Sequence, residues 1–197
     1  MNNLLRSATI LGLCTAVSGC LDAGDESSSS RSTYAEQDAL AEQLASEINL
    51  LSPTDPGSLP TTGSVVDYAG VVTITADSDS IVFLGDLALS ADFVNSTVSG
   101  NLTDVNDSNG VGYTGTIPLT NGDIDRNADI SETVTGDLIG DVSDGSGNTV
   151  AFDTSIAGDF YDDEAYIAGD VTGTLTINGD AFEIEDGDGA FAVSDGL

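Results

Sequence analysis

The sequence lacks lysine, histidine and tryptophan, and its only basic residues are Arg6, Arg31 and Arg126. Without histidine or lysine the chain cannot form a Ser-His-Asp triad, a Schiff-base lysine, an imidazole metal ligand or a P-loop lysine. The remaining acid/base groups are carboxylates, and no pair of them stands out, so we expect no enzymatic activity and no cofactor. The 34 acidic residues give a net charge of −31, which repels nucleic acid phosphates and excludes nucleic acid as a partner.

Cysteine is also scarce, and its two positions carry information. Cys14 and Cys20 are too few for a disulfide scaffold or a cysteine-rich zinc site. Residues 1–19 begin with a short charged region and continue into an apolar stretch too short for a stable membrane span. They end in Val-Ser-Gly before Cys20, which resembles the bacterial lipobox. We therefore predict a lipoprotein signal peptide over 1–19 and lipidation of Cys20. The alternative is an ordinary secretory signal with an incidental cysteine.

The predicted lipid sets the expected location. Acyl chains hold a protein at a membrane, whereas so anionic a chain gains nothing from lipid headgroups. Leu21 follows the cysteine, and by resemblance to known sorting rules it does not retain a lipoprotein in the inner membrane. We expect a protein anchored by its N-terminal lipid in the outer membrane of a Gram-negative bacterium, on its periplasmic or surface face.

Three short segments precede the main domain. Residues 20–33 are polar and serine-rich, which is typical of a flexible tether. Over 34–51, Leu40, Leu44, Ile48 and Leu51 form one apolar stripe and predict a short amphipathic helix. A helix resting against the domain is favoured over one that docks a partner. Residues 52–63 hold three of the four prolines and predict a proline-rich linker.

From residue 64 to 195 the hydrophobic period is two. Apolar residues alternate with Asp, Ser and Thr in eight runs, over 66–74, 81–93, 98–102, 111–119, 134–142, 150–160, 165–177 and 182–193. The last run changes parity across residues 186–189, which indicates a bulge or turn. One apolar and one polar face, with short Asn/Asp/Gly turns, predict an all-β domain. The expected fold is one soluble, up-and-down, eight-stranded antiparallel β-barrel.

Glycines and aromatic residues share the apolar face of these runs. The glycines are Gly70, Gly85, Gly100, Gly115, Gly136, Gly158 and Gly169. We expect them to bend strands and to leave room for large neighbouring side chains. The predicted interior is packed, and its aromatic members are Phe83, Phe93, Tyr113, Phe152, Phe160 and Phe182.

Several of these residues match a known family pattern. The run Ile156-Ala-Gly-Asp-Phe-Tyr161, followed by Ala165, Gly169 and the closing Gly189-Ala-Phe191, resembles the barrel signature of the transferrin-binding protein B family. Softer likenesses lie in 59–63 with Tyr68 and Gly70, and in 89–93 with 98–100. Asp162 stands where that family prefers glycine. The likeness covers about 59–193, and factor H-binding surface lipoproteins share the barrel.

The resemblance implies a binding or accessory module related to iron or nutrient uptake. The family's motif residues are structural, so it implies no ligand-binding residue here. A host or envelope protein, such as a TonB-dependent receptor, would be the partner of a monomeric module. The alternative is a structural envelope lipoprotein that binds no nutrient.

Two further hypotheses concern a transmembrane barrel and a calcium loop. A transmembrane barrel would place Asp86, Asp92, Asp137, Asp153, Asp159 and Asp170 in a narrow lumen with almost no cations. Residues 123–130 present side-chain oxygen ligands at alternate positions, as the start of a calcium loop does, but Ala128 and Val134 stand where such loops need glycine and glutamate. We therefore expect solvated loops and no metal site.

Overall fold

The computed structural model describes residues 32–63, 65–76, 81–128 and 132–197. Within these ranges one helix precedes nine strands. They are α1 (Tyr34–Ile48), β1 (Val66–Ala76), β2 (Ile81–Asp92), β3 (Thr97–Asp107), β4 (Ile117–Ile124), β5 (Val134–Ser143), β6 (Thr149–Tyr161), β7 (Tyr166–Ile177), β8 (Asp180–Ile184) and β9 (Gly189–Ser194). No helix in these ranges has the length and apolar character needed to cross a membrane.

The strands close into an eight-stranded antiparallel barrel, as predicted. Each strand from β1 to β7 pairs with the next, and β9 pairs with both β7 and β1. The extra strand β8 pairs with β7 alone in the described pairings. Closure pairs both edges of the eight barrel strands, so β8 is the one strand in the described pairings with an unpaired edge.

The eighth predicted strand is interrupted where its parity changes. Gly173 pairs with Ile184 of β8, whereas Asp170 pairs with Ala190 of β9, so three extra residues lie between the two registers. A shift by an odd number moves the inward side chains to the other parity, because side chains alternate along a strand. The bulge or turn predicted at residues 186–189 is confirmed as a turn, in which the Asp188 N–H donates to the Glu185 carbonyl.

The predicted inward and outward faces are also confirmed. The continuous core holds the inward side chains of the barrel strands, including Phe83, Phe93, Phe152 and Phe160. Asp153 and Asp170 point outward and are exposed. Two details differ from the prediction: Phe182 is only partly buried, and Asp159 is buried on the outer wall, where the Thr133 hydroxyl donates to its carboxylate at 2.7 Å.

The prediction for the fourth strand was wrong in its bounds. Residues 111–116 form a loop with isolated bridges, and β4 begins at Ile117 and continues to Ile124. Gly115 has a φ of +145°, a conformation that breaks a regular strand. Asn121, with a φ of +53°, accompanies a one-residue register shift inside β4, which alternation alone does not reveal.

The helix is shorter than predicted, ending at Ile48 where the apolar stripe ran to Leu51. Thr33 is the N-cap of α1 and forms a capping box with Glu36. The Thr33 hydroxyl accepts from the Glu36 backbone N–H, and the Thr33 backbone N–H donates to the Glu36 carboxylate. Tighter turns follow Ile48, because the Leu51 N–H donates to the Ile48 carbonyl. The helix packs on the outer wall over β1, β2 and β9, so it rests against the domain as expected.

The proline-rich segment is part of the domain rather than a free linker. Pro53 bridges Tyr161, and the Thr54 N–H donates to the Phe160 carbonyl at 2.8 Å. Leu59 is 2 % exposed and belongs to the barrel core. The segment therefore closes one end of the barrel, which also carries the β2–β3, β4–β5 and β6–β7 turns. We call this end the linker end.

Candidate functional site

The one site residue predicted from sequence is not among the described residues. Cys20 lies in the segment before residue 32, so its lipidation stays a prediction. In the calcium-like segment, Asp123 belongs to β4 and the Asp125 carboxylate accepts the Asn127 N–H at 2.8 Å. Asp129 and Ile130 lie outside the described residues. In the described ranges no three acidic or cysteine side chains are placed to hold a metal ion.

The interior of the barrel is filled by side chains. The Phe160 ring lies 5.2 Å from that of Phe93 and 6.4 Å from that of Tyr68, measured between centroids. Phe83 and Tyr113 form another aromatic pair at 6.0 Å. Leu59 adds to this core from the linker end. Since close-packed interiors hold few voids, a ligand would meet this protein on its outer surface.

A shallow groove lies on the outside of β1, β2 and β3, with a volume of about 360 Å³. Its outward-facing lining is Asp67, Ala88, Ser90, Ser99 and Asn101, with backbone contributed by Tyr68, Leu89 and Gly100. These outward side chains are short, so the wall is depressed there. The lining residue Asp67 directly follows Val66, the first residue of β1, so this part of the groove is the part nearer the linker end.

Gly100 brings two strands of the groove floor close together. A Cβ at this position would lie 2.2 Å from the Ala88 carbonyl oxygen and 2.8 Å from the Leu89 side chain. Only glycine allows so close an approach of strand to strand. On the rim, the Ser90 hydroxyl donates to the Asp67 carboxylate, which fixes the direction of that charge.

Tyr68 links the groove to the β6–β7 turn. Its hydroxyl donates to the Glu164 carbonyl at 2.7 Å, so the phenol is held below the groove. Burial raises the pKa of Tyr68 well above its usual value, and the Asp195 and Glu164 carboxylates add to the effect. Tyr68 therefore remains protonated and acts as a hydrogen-bond donor at physiological pH.

Exposed apolar side chains gather near the same end of the barrel. Of the five large hydrophobic side chains exposed in the described ranges, only Ile139 lies in the middle of a strand. Val65 precedes β1 and is 49 % exposed, Val94 lies in the β2–β3 turn and is 57 % exposed, and Leu50 follows α1 and is 87 % exposed. The fifth, Leu197, follows β9. Three exposed apolar side chains, those of Leu50, Val65 and Val94, thus lie near the linker end, where they are available to a partner.

The positive charge at the linker end is turned inward. The guanidinium of Arg126 donates to the carbonyls of Leu59 at 2.7 Å, Pro60 and Phe93. It therefore ties the proline-rich segment to the β2–β3 turn. Carboxylates of Asp67, Asp162, Asp163 and Asp195 are exposed around this end, so the outward charge there is negative.

Sequence reasoning missed both the groove and the contact that holds the helix. The groove depends on which short side chains meet across three strands, and that requires the register. The polar cluster of Gln37, Asp86 and Asn106 depends on the bulge at Asp104, whose φ is +49°. One signal was present, since Gln37 falls one helical turn before Leu40 on the stripe that packs on the barrel.

Comparison of the chain with protein-family models, curated proteins and solved structures finds no match.

Proposed function

We propose that this chain is a lipid-anchored outer-membrane protein whose barrel is a non-catalytic binding or accessory module. The observation that carries the binding part is the combination of a filled interior with an outer groove beside exposed apolar side chains. Such a barrel offers a surface to a macromolecule rather than a cavity to a small solute. The lipobox-like sequence before Cys20 supports the anchor.

The likeness to the transferrin-binding protein B barrel gains support from the placement of the matching residues. Gly158 pairs with Gly169 across β6 and β7, and Gly169 pairs with Phe191 across β7 and β9. The signature thus lies in a single patch of the wall rather than in scattered positions. A role beside a TonB-dependent receptor in nutrient or iron uptake is the finer form of the proposal.

The anchor is tested by the variant Cys20→Ser. We expect it to leave the membrane fraction, because the acyl chains are the proposed attachment and anionic lipid repels the rest of the chain. The matched control is Cys14→Ser, which should stay in the membrane fraction because Cys14 departs with the signal peptide. A Cys20→Ser variant that still pellets with membranes would contradict the lipid anchor.

The alternative is a structural envelope lipoprotein that binds no nutrient. The two functions differ in what deletion of the gene does. A receptor accessory would lower uptake of one nutrient and leave the envelope intact. A structural protein would weaken the envelope to detergent without changing any uptake rate.

A further inference from the structure

We propose that the linker end of the barrel, together with the groove on β1–β3, binds a protein segment in which apolar side chains are flanked by lysine or arginine. The inference rests on the proposed binding function and names the chemistry of the partner. Its two supports are the exposed apolar side chains at this end and the sign of the charge around them.

The apolar part is placed by the register of two strands, β1 and β2. Val66 pairs with Ala91, so Val65 and Val94 both lie just beyond the paired ends of β1 and β2. Asp67 and Ser90 are the next pair along the same two strands, and both line the groove. The apolar contact and the groove are therefore neighbours along one hairpin.

Leu50 joins this end through α1. Three residues before it, the Glu47 carboxylate accepts the Tyr166 hydroxyl at 3.2 Å, and three residues after it Pro53 bridges Tyr161. Tyr161 and Tyr166 flank the β6–β7 turn, which belongs to the linker end. Leu50 is thus held near this end and still leaves 87 % of its surface in water.

The charge decides between a protein and a membrane as the occupant. Exposed carboxylates surround this end, and they belong to Asp67, Asp162, Asp163 and Asp195. The guanidinium of Arg126 does not offset them outward, because it donates hydrogen bonds to the backbone carbonyls of Leu59 and Phe93. Anionic lipid would be repelled, whereas a basic protein segment would be attracted and steered toward the apolar contact. A purely apolar segment would leave the carboxylates uncompensated.

The test measures binding of two synthetic peptides to the full chain by calorimetry and by NMR shifts. One peptide alternates lysine with leucine, and the other has serine in place of each leucine. We expect the first to bind more tightly, with shifts centred on Val65, Val94 and the groove. Its affinity should fall as salt rises, because the attraction is partly electrostatic.

Variants locate the surface. Val65→Ser and Val94→Ser should each lower the affinity for the lysine–leucine peptide about tenfold, since each removes one valine that the bound peptide would cover. The matched control is Ile139→Ser, because Ile139 is 50 % exposed and pairs with Asp153 on a wall away from the groove. It should leave the affinity unchanged.

Three results would overturn the inference: no binding of the lysine–leucine peptide, equal affinity for the two peptides, or equal weakening by Ile139→Ser. Binding to anionic phosphatidylglycerol vesicles by the Cys20→Ser chain, with loss in Val94→Ser, would assign the surface to lipid and would also overturn it. The lipid anchor is tested separately by membrane fractionation, and a negative result there does not change the interpretation of the peptide binding.

Discussion

At the scale of single residues, the glycines of the wall are required by their neighbours' backbone. We expected Gly158 and Gly169 to leave room for large side chains, but the two lie opposite each other across β6 and β7. A Cβ on Gly158 would lie 2.3 Å from the Ala168 oxygen, and one on Gly169 would lie 2.0 Å from the Ala157 oxygen. At this pair of residues, β6 and β7 are therefore too close together for either residue to carry a side chain.

It follows that Gly158→Ala and Gly169→Ala should already be strongly destabilising. A clash with backbone cannot be relieved by a rotamer change, so we expect a loss of about 3 kcal/mol or more, at the upper end of overpacking costs. Chemical denaturation measures it. Gly140→Ala is the matched control, because its Cβ would meet Ile117 at an ordinary 3.6 Å. Equal stability of all three variants would mean that the strands do not cross this closely.

A second residue-scale prediction concerns Asp137 on the outer wall. Its carboxylate accepts hydrogen bonds from the Asn121 amide and the Ser155 hydroxyl, each at 2.8 Å, and these lower its pKa. A lowered folded-state pKa favours folding above the unfolded value, and this contribution is lost as pH falls through the folded value. NMR titration should place Asp137 below an ordinary aspartate.

Removal of the first of these donors tests the cause. Asn121→Gly keeps the positive φ and deletes the amide, so the pKa of Asp137 should rise toward its usual value. Asn95→Ala serves as the control, since Asn95 donates to Asp92 in the β2–β3 turn and lowers the pKa of that residue instead. A shift of Asp137 in the control, or none in Asn121→Gly, would refute the assignment.

At the scale of elements, α1 is held to the barrel by one buried leucine and a polar cluster. Leu44 is fully buried against the outer wall, where Val71 and Leu84 are also buried. The Gln37 amide donates to the Asp86 carboxylate at 2.7 Å and to the Asp104 carbonyl at 2.8 Å. That carbonyl lies at the bulge in β3, so the helix is held where the register of β2 and β3 shifts.

Leu44→Ala should therefore loosen the helix and lower the free energy of unfolding by about 2–3 kcal/mol, near the lower end for buried leucine truncations. Denaturation followed by circular dichroism measures the loss, and amide exchange over α1 should accelerate. Leu50→Ala is the control, because a side chain that is 87 % exposed contributes little to stability. Equal effects of the two variants would contradict the docking of α1.

The elements also show what the sequence can and cannot predict. Alternation along β2, β6 and β7 predicts the strands, their inward faces and the closure, because these strands are long and regular. Alternation predicts the wrong bounds for β4, because Asn121 adopts a positive φ inside the strand and accompanies a shift of its register. The groove, the cluster at Gln37 and the burial of Leu59 arise from contacts between distant segments, and no local pattern encodes such contacts.

At the scale of the whole molecule, the dominant unbalanced force is repulsion among carboxylates. The net charge is −31, and the Arg126 donors are taken by backbone carbonyls and the Ser96 hydroxyl. Partial desolvation raises the pKa of Glu164 and of the largely exposed Asp170, and the nearby carboxylates of Asp163 and Asp186 add to the respective shifts. Both groups favour folding at low pH and lose that contribution as pH rises through their folded values.

Folding should therefore strengthen as sodium chloride rises from low to marine concentrations. Like charges lie closer in the barrel than in the expanded chain, so screening with a Debye length of about 10 Å at 0.1 M relieves the folded state more. Thermal unfolding in a sodium chloride series should show a midpoint that rises and then levels off. Sucrose at matched osmolality is the control, because it does not screen charge. A flat or falling midpoint in salt would mean that the carboxylates do not repel one another in the barrel, whereas a rise with calcium alone would indicate a bound cation.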